Sequence, residues 1–180
     1  NNLWVVSKMV IKGRVWKFGD NVNTDNIPPG RYKFKTQNLN ELVQYVLIDL
    51  NPEFAKKVRK GDVIVAGRNF GYGSSREHAP RLLKLAGVGA VVAKSFARIF
   101  FRNAINIGLP VIIAPEVYDK TDEGDIMEVD LEKGIIKNLS KNLTFKFKPY
   151  PKEIMKIVLE GGVIEYYRKH GVFPWEENTK

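Results

Sequence analysis

Chemistry is concentrated between Gly67 and Pro80, in the run GRNFGYGSSREHAP. Three glycines within seven residues are followed by two adjacent hydroxyls, Ser74 and Ser75, and then by Arg76, Glu77 and His78. A strand must lead into this run. Asp62-Val63-Ile64-Val65-Ala66 is short, β-branched and nearly all apolar, the pattern of a strand covered on both faces. A helix must follow it, because Ala79, Leu82, Leu83 and Ala86 recur at helical spacing and Gly87 stands at the expected end. A glycine loop opening a helix suits an anion: the first backbone amides have no intrahelical partner and the helix dipole favours negative charge beside them. Gly71 and Gly73 allow sharp turns and close approach of the backbone to a ligand.

The known nucleotide loops do not fit. A dinucleotide fingerprint needs glycine where Arg76 stands, and a Walker loop needs a Gly-Lys-Ser/Thr ending that is absent. Ser74-Ser75-Arg76-Glu77 also reads as a capping box, with Ser74 capping the helix and Glu77 reaching back, so a purely structural role for Ser74 stands beside a chemical one.

Together with the later words Ser95-Phe96-Ala97-Arg98-Ile99-Phe100, Arg102-Asn103-Ala104-Ile105-Asn106 and Gly108-Leu109-Pro110, the glycine loop resembles the small subunit of 3-isopropylmalate dehydratase. That subunit is the separate swivelling domain of the aconitase superfamily, and archaeal homoaconitase small subunits are very similar. The resemblance runs from about Val10 to Gly171. It implies an α/β swivelling β/β/α domain, with a mostly parallel central sheet flanked by helices and a small antiparallel section. It also implies a hydro-lyase that interconverts 2- and 3-isopropylmalate by dehydration and rehydration in leucine biosynthesis. The implied partner is a large subunit holding a 4Fe–4S cluster, and the implied substrate is a small hydroxy-di- or tricarboxylate. By the same resemblance Ser74 is the catalytic base, and Ser75 and Arg76 bind a substrate carboxylate, for which a guanidinium offers two parallel hydrogen bonds where a lysine could not. Asn69, Gly71, Gly73, Glu77, His78, Asp25 and Arg98 support the site, with Asn103 beside Arg98.

The segment after Gly30, Arg31-Tyr32-Lys33-Phe34-Lys35-Thr36, falls where the family reads the variable arm of the substrate. Apolar walls suit an isopropyl arm and a cation suits an extra carboxylate. Tyr32, Lys33, Phe34 and Lys35 are the candidates. Phe34 favours the apolar arm and the two lysines the charged one, so a homoaconitase or broad-specificity hydro-lyase remains an alternative. Without the resemblance, the same residues read as an exposed strand with one face inward.

Composition bounds the rest. At 180 residues, with 44% hydrophobic and 27% charged side chains, the chain is expected to form one globular domain, with extensions at residues 1–9 and 171–180. No apolar run of membrane-spanning length and no signal-peptide pattern appear, so a cytoplasmic protein without membrane contact is expected. With no cysteine the chain supplies no thiolate, and any iron–sulfur cluster must be held by another chain. The net charge of +9 could reflect nucleic acid, an acidic partner or anionic substrates. A basic phosphate- or nucleic-acid-binding module is the distant alternative, but the cations are scattered and no recognition motif accompanies them, so no nucleic acid is expected. A homo-oligomer of the isolated chain is compatible with the sequence.

In chain order, Val10 to Phe18 reads as a strand and residues 19–30 as a loop tied by Asx turns, while the resemblance implies that Asn23-Thr24-Asp25 lies near the interface with the substrate-binding face. Its spacing lacks the glycine and glutamate of a calcium loop. Helical spacing is expected over residues 40–49, strands over 89–93 and 110–114, and a helix capped by Ser95 running to about Ile107. Arg98 and Arg102 share one side of that helix, where a solvated or partner-facing stripe is the plainer reading. Residues 126–131, 134–137 and 143–147 alternate as antiparallel strands, and residues 152–160 form an amphipathic helix closed by Gly161-Gly162.

Overall fold

The computed structural model describes residues 10–33, 36–74 and 78–179. Seven strands form one sheet: β1 (Val10–Phe18), β2 (Val63–Ala66), β3 (Ala90–Ala93), β4 (Val111–Ile113), β5 (Ile126–Asp130), β6 (Ile135–Asn138) and β7 (Leu143–Lys146). Their order is β4-β3-β2-β1-β5-β6-β7. β1 joins two halves. Val15–Phe18 pairs parallel with β2, and Val10–Arg14 pairs antiparallel with β5. Beyond it, β2–β3 and β3–β4 are parallel, while β5–β6 and β6–β7 are antiparallel.

The residue patterns account for the split. Every residue of β2 and β3 is buried, as strands covered on both faces require. β5 and β6 instead bury alternate residues, Met127, Val129 and Ile136 pointing inward, as expected of a sheet solvated on one face.

Among the described residues there are also eight short helices: α1 (Gly30–Lys33), α2 (Leu39–Leu42), α3 (Phe54–Lys57), α4 (His78–Leu85), α5 (Arg98–Asn106), α6 (Pro115–Asp119), α7 (Lys152–Leu159) and α8 (Val163–His170). α4 and α5 are the crossovers between the parallel strands and pack on each other, with α7 on α5 and α8 on α7. Leu82, Leu83, Phe100 and Ala104 bring the apolar faces of α4 and α5 into the same core as β2 and β3.

Some expectations are corrected. The helix expected over residues 40–49 ends early: α2 passes into a 3-10 turn at Val43–Tyr45, and Leu47 adopts a left-handed φ of 58°. That turn buries Leu47 completely and lets its amide donate to the Ile27 carbonyl at 3.2 Å, a long-range contact that helical periodicity does not encode. The strand reading of Lys33-Phe34-Lys35 falls mostly outside the described residues; Lys33 itself ends the helical turn α1, whose Tyr32 ring stacks on Tyr45 at 4.0 Å. α6 and α8 were not anticipated. Past α8, residues 174–179 form a 3-10 segment, and Glu177 accepts from Lys156 Nζ at 2.8 Å and from the Tyr166 hydroxyl.

Candidate active site

Parallel strands send their carboxyl ends to one edge of the sheet, and the connections that leave there form a crevice, the usual ligand position in open α/β sheets. Here β1 runs into residues 19–29, β2 into the glycine loop and β3 into residues 94–97. Backbone bonds clasp the three connections together. Gly71 N–H donates to the Val22 carbonyl at 2.7 Å, Thr24 N–H to Tyr72 O at 2.8 Å, Phe70 N–H to Ser95 O at 3.1 Å and Ala97 N–H to Phe70 O at 2.9 Å.

Side chains tighten the clasp. Asp20 Oδ1 accepts from the Arg68 amide at 2.7 Å, and Asn69 Nδ2 donates to Asn21 Oδ1 at 3.2 Å. Ser95 Oγ accepts from the Asn69 amide at 2.8 Å. Ser95 therefore does not cap α5 as expected; its hydroxyl serves a neighbouring loop, and the N-cap is Ala97, without a side-chain cap bond. The Asx reading of residues 19–30 is correct. Asn23 Oδ1 accepts from the Asp25 amide at 2.7 Å, and Asn26 Oδ1 from the Asn23 amide at 2.9 Å.

Two glycines make the close fit possible. Gly71 has φ 84°, and a Cβ on it would run into the Phe100 ring. Gly73 has φ 112°, and its Cβ would lie 2.7 Å from Asn23 Oδ1 and 2.9 Å from Thr24 Oγ1. Any other residue there is strained and also obstructed. Below them Phe70, Phe96 and Phe100 form an aromatic floor, with the Phe70 and Phe100 centroids 5.3 Å apart.

Ser74 is exposed at the end of this loop, on a cleft of about 280 Å³ shared with Gly71, Gly73, Ala97, Arg98, Ile99, Phe100 and Asn103. The cleft includes the start of α5, whose first amides have no side-chain cap and bring the positive end of its dipole. A guanidinium at Arg98 adds to this. The arrangement suits a small anion held beside a serine hydroxyl.

The sequence candidates divide clearly. Gly71, Gly73, Ser74, Arg98 and Asn103 come together at the cleft, Asn69 braces the loop behind it, and Asp25 is exposed on the clasped loop beside Thr24. His78 is exposed at the first described turn of α4. Ser75, Arg76 and Glu77 lie outside the described residues, as do Phe34 and Lys35. Lys33 closes α1, and Tyr32, stacked on Tyr45 and half-buried, is not in the wall of the cleft. Thr24 was missed as a neighbour of Ser74: it is 4% exposed, with Oγ1 3.4 Å from Ser74 Oγ. The Asx-turn residues of this loop and the implied interface around Asn23-Thr24-Asp25 pointed to the region, but neither singled out Ser74 as the neighbour of Thr24.

A larger cleft, about 740 Å³, lies elsewhere, around Lys60, Lys84, Gly161 and Ile164. Lys84 Nζ there donates to the carbonyls of Ile107 (2.8 Å) and Gly161 (3.1 Å), closing helix ends, and burial pushes its pKa down. Among the described residues no three His, Asp or Glu side chains converge as metal ligands, and the chain has no cysteine, so its residues do not fit a resident iron–sulfur cluster. No helix among the described residues is long and apolar enough to cross a membrane.

Comparison with known proteins bears on this site. Residues 17–116 match the aconitase C-terminal domain family. The chain is 58% identical over 165 residues to 3-isopropylmalate dehydratase small subunit 1 of Thermotoga maritima, spanning 92% of this chain and 99% of that one. It is 56% identical to small subunit 2 of Archaeoglobus fulgidus, over 91% of this chain and 98% of the relative. A crystal structure of 3-isopropylmalate dehydratase from Methanocaldococcus jannaschii superposes with a TM-score of 0.84 at 47% identity, covering 94% of this chain and 99% of that one.

Proposed function

Since the chain belongs to the 3-isopropylmalate dehydratase small-subunit family, with an aconitase C-terminal domain at its centre, we propose that it is the hydro-lyase small subunit that helps interconvert 2- and 3-isopropylmalate in leucine biosynthesis. In this reading it works in the cytoplasm with a large subunit, and that subunit carries the 4Fe–4S cluster, since this chain has no thiolate to give one. When bound in its own subunit, the cluster supplies the Lewis acid that helps hydroxide depart.

The observation that carries the reading is Ser74 at the tip of the glycine loop, over a small cleft at the carboxyl ends of the parallel strands. This chain's task is the proton. Ser74 Oγ, entering the step as alkoxide, accepts the proton from the carbon next to a substrate carboxylate; the C–H electron pair becomes the new double bond as hydroxide leaves. Rehydration runs the same steps in reverse with the two carbons exchanged. A serine alkoxide is very unstable in water, so the site must stabilise it. The uncapped start of α5 and Arg98 border the cleft, and Arg76, two residues after Ser74 in the chain, would supply a second guanidinium. Ser75 and Arg76 hold the carboxylate, Arg76 through two parallel bonds. Asn69, Asp25, Glu77 and His78 keep the loop in place; of the segment after Gly30, Phe34 suits the apolar arm, Lys33 and Lys35 would suit only a charged one, and Tyr32, stacked on Tyr45, is set back from the cleft.

The test is turnover by this chain mixed with its cognate large subunit, after anaerobic cluster reconstitution, on isopropylmalate, homoaconitate and citrate. The expected result is isopropylmalate turnover that needs both subunits. Faster turnover of either tricarboxylate would overturn the substrate, and activity of this chain alone would overturn the division of labour.

A further inference from the structure

Thr24 presents a hydroxyl in a place where valine would fill the same space. It is 4% exposed, and a buried hydroxyl without a hydrogen bond is unfavourable by one or more kcal/mol. Among the described residues its partner is Ser74 Oγ, at 3.4 Å. Its backbone is held on both sides: its amide donates to Tyr72 O at 2.8 Å, its carbonyl accepts from Ile27 N–H at 3.2 Å, and Asn23 and Asn26 cap the turn it occupies. A β-branched side chain on a fixed backbone has few rotamers, so the direction of the Thr24 hydroxyl is set by the fold. Ser74 is the opposite case, an exposed hydroxyl with free rotation among staggered positions.

Building on the proposed role of Ser74 as base, we propose that Thr24 is its positioning residue. The Thr24 O–H donates to Ser74 Oγ, selects the rotamer that points into the cleft and stabilises the oxygen when it carries negative charge, while keeping its own proton throughout. The 3.4 Å separation is longer than an ordinary hydroxyl–hydroxyl bond, and such contacts shorten when the acceptor becomes an anion. The interlock also explains Gly73, since any side chain there would press on Thr24 Oγ1 and Asn23 Oδ1.

The experiment compares Thr24→Val, Thr24→Ser, Ser74→Ala and the double variant Thr24→Val/Ser74→Ala in the assembled two-subunit enzyme with isopropylmalate. A hydrogen bond to a charged group corresponds to about a 10- to 100-fold effect. Thr24→Val should therefore lower kcat by about that factor with KM within about twofold, and Thr24→Ser should recover kcat to within about threefold of the parent. The double variant should be no slower than Ser74→Ala, because Thr24 acts through Ser74. A Thr24→Val kcat within about twofold of the parent overturns the inference, as does Thr24→Ser being as slow as Thr24→Val, which would make the loss one of packing. If Ser74→Ala is inactive and Thr24→Val is not impaired, only this inference fails. If Ser74→Ala stays active, the reading of Ser74 as base fails and this inference falls with it.

Discussion

The two halves of the sheet share β1 but use it differently. On one side β1 to β4 run parallel, and each connection must cross the length of the sheet, so long segments leave the same edge and meet there. On the other side β5, β6 and β7 are antiparallel and joined by short turns such as residues 131–134. Such turns alternate between the two edges of the sheet and gather nothing. Every candidate residue that the structure brings to the cleft comes from the parallel half. The antiparallel half contributes core, with Met127, Val129 and Ile136 fully buried, and a polar knot in which Asp125 accepts from Asn138, Lys141 and the Asp122 amide. Strand direction thus separates the half that gathers the candidate site from the half that contributes none of its residues.

Substitutions can break that division. Among substitutions that leave Ser74 itself in place, the largest effect is expected from Gly71→Ala. Its methyl meets the Phe100 ring at a positive φ, so the loop carrying Ser74 must shift, and turnover should fall by about 100-fold or more in the assembled enzyme. Ile136→Ala in β6 removes a fully buried side chain from the other half. It should lower unfolding free energy by about 2–5 kcal/mol in denaturant titration and leave kcat within about twofold. Comparable loss of kcat in Ile136→Ala at temperatures where it is folded would mean the halves are coupled.

A smaller effect sharpens the contrast through pH. Burial pushes the Asp125 carboxyl up, but hydrogen bonds from Lys141 and Asn138 outweigh it and hold the pKa below the usual carboxylate range. A carboxyl with a depressed folded-state pKa contributes stability above its unfolded value of about 4, and loses it as pH falls through the folded value. Asp125→Asn should therefore lower Tm at pH 7 relative to the parent, with the difference shrinking below about pH 4, and leave isopropylmalate turnover at neutral pH unchanged. A Tm difference constant from pH 7 to pH 3 would contradict this. The smallest effect is expected at the open edge of the parallel half, where the hydroxyl of the half-buried Tyr150 accepts from the amide and donates to the carbonyl of Val111 in β4. Tyr150→Phe should destabilise by about 1–2 kcal/mol and spare activity.

The same division governs what could be read from the chain alone. β2, the glycine loop, α4, β3 and β4 were legible because buried parallel strands are continuous apolar runs and because Gly87 marks a helix end. β5 to β7 were legible from alternation. What escaped depends on contacts between distant residues. Leu47 leaves the helical pattern to reach Ile27, and Ser95 gives its hydroxyl to Asn69 where local reading made it a helix cap. Thr24 meets Ser74 across 50 residues of sequence, and no local pattern carries that information. The short helix Pro115–Asp119 escaped because little more than one turn cannot display a helical period, whereas Val163–His170 is amphipathic and was passed over directly after the Gly161-Gly162 stop. The glycines before Ser74 and the arginine after it marked the loop as a place for an anion, while the role of Ser74 as base came from the family resemblance that the loop carries.

The role of Ser74 is tested most directly by Ser74→Ala, assayed with the cognate large subunit on isopropylmalate alongside a co-purification check that the two subunits still associate. Loss of the proton-abstracting group should lower kcat by about 1,000-fold with KM changed by no more than a few-fold. Turnover within about tenfold of the parent by an intact complex would contradict the assignment and leave Ser74 as part of the helix entrance alone.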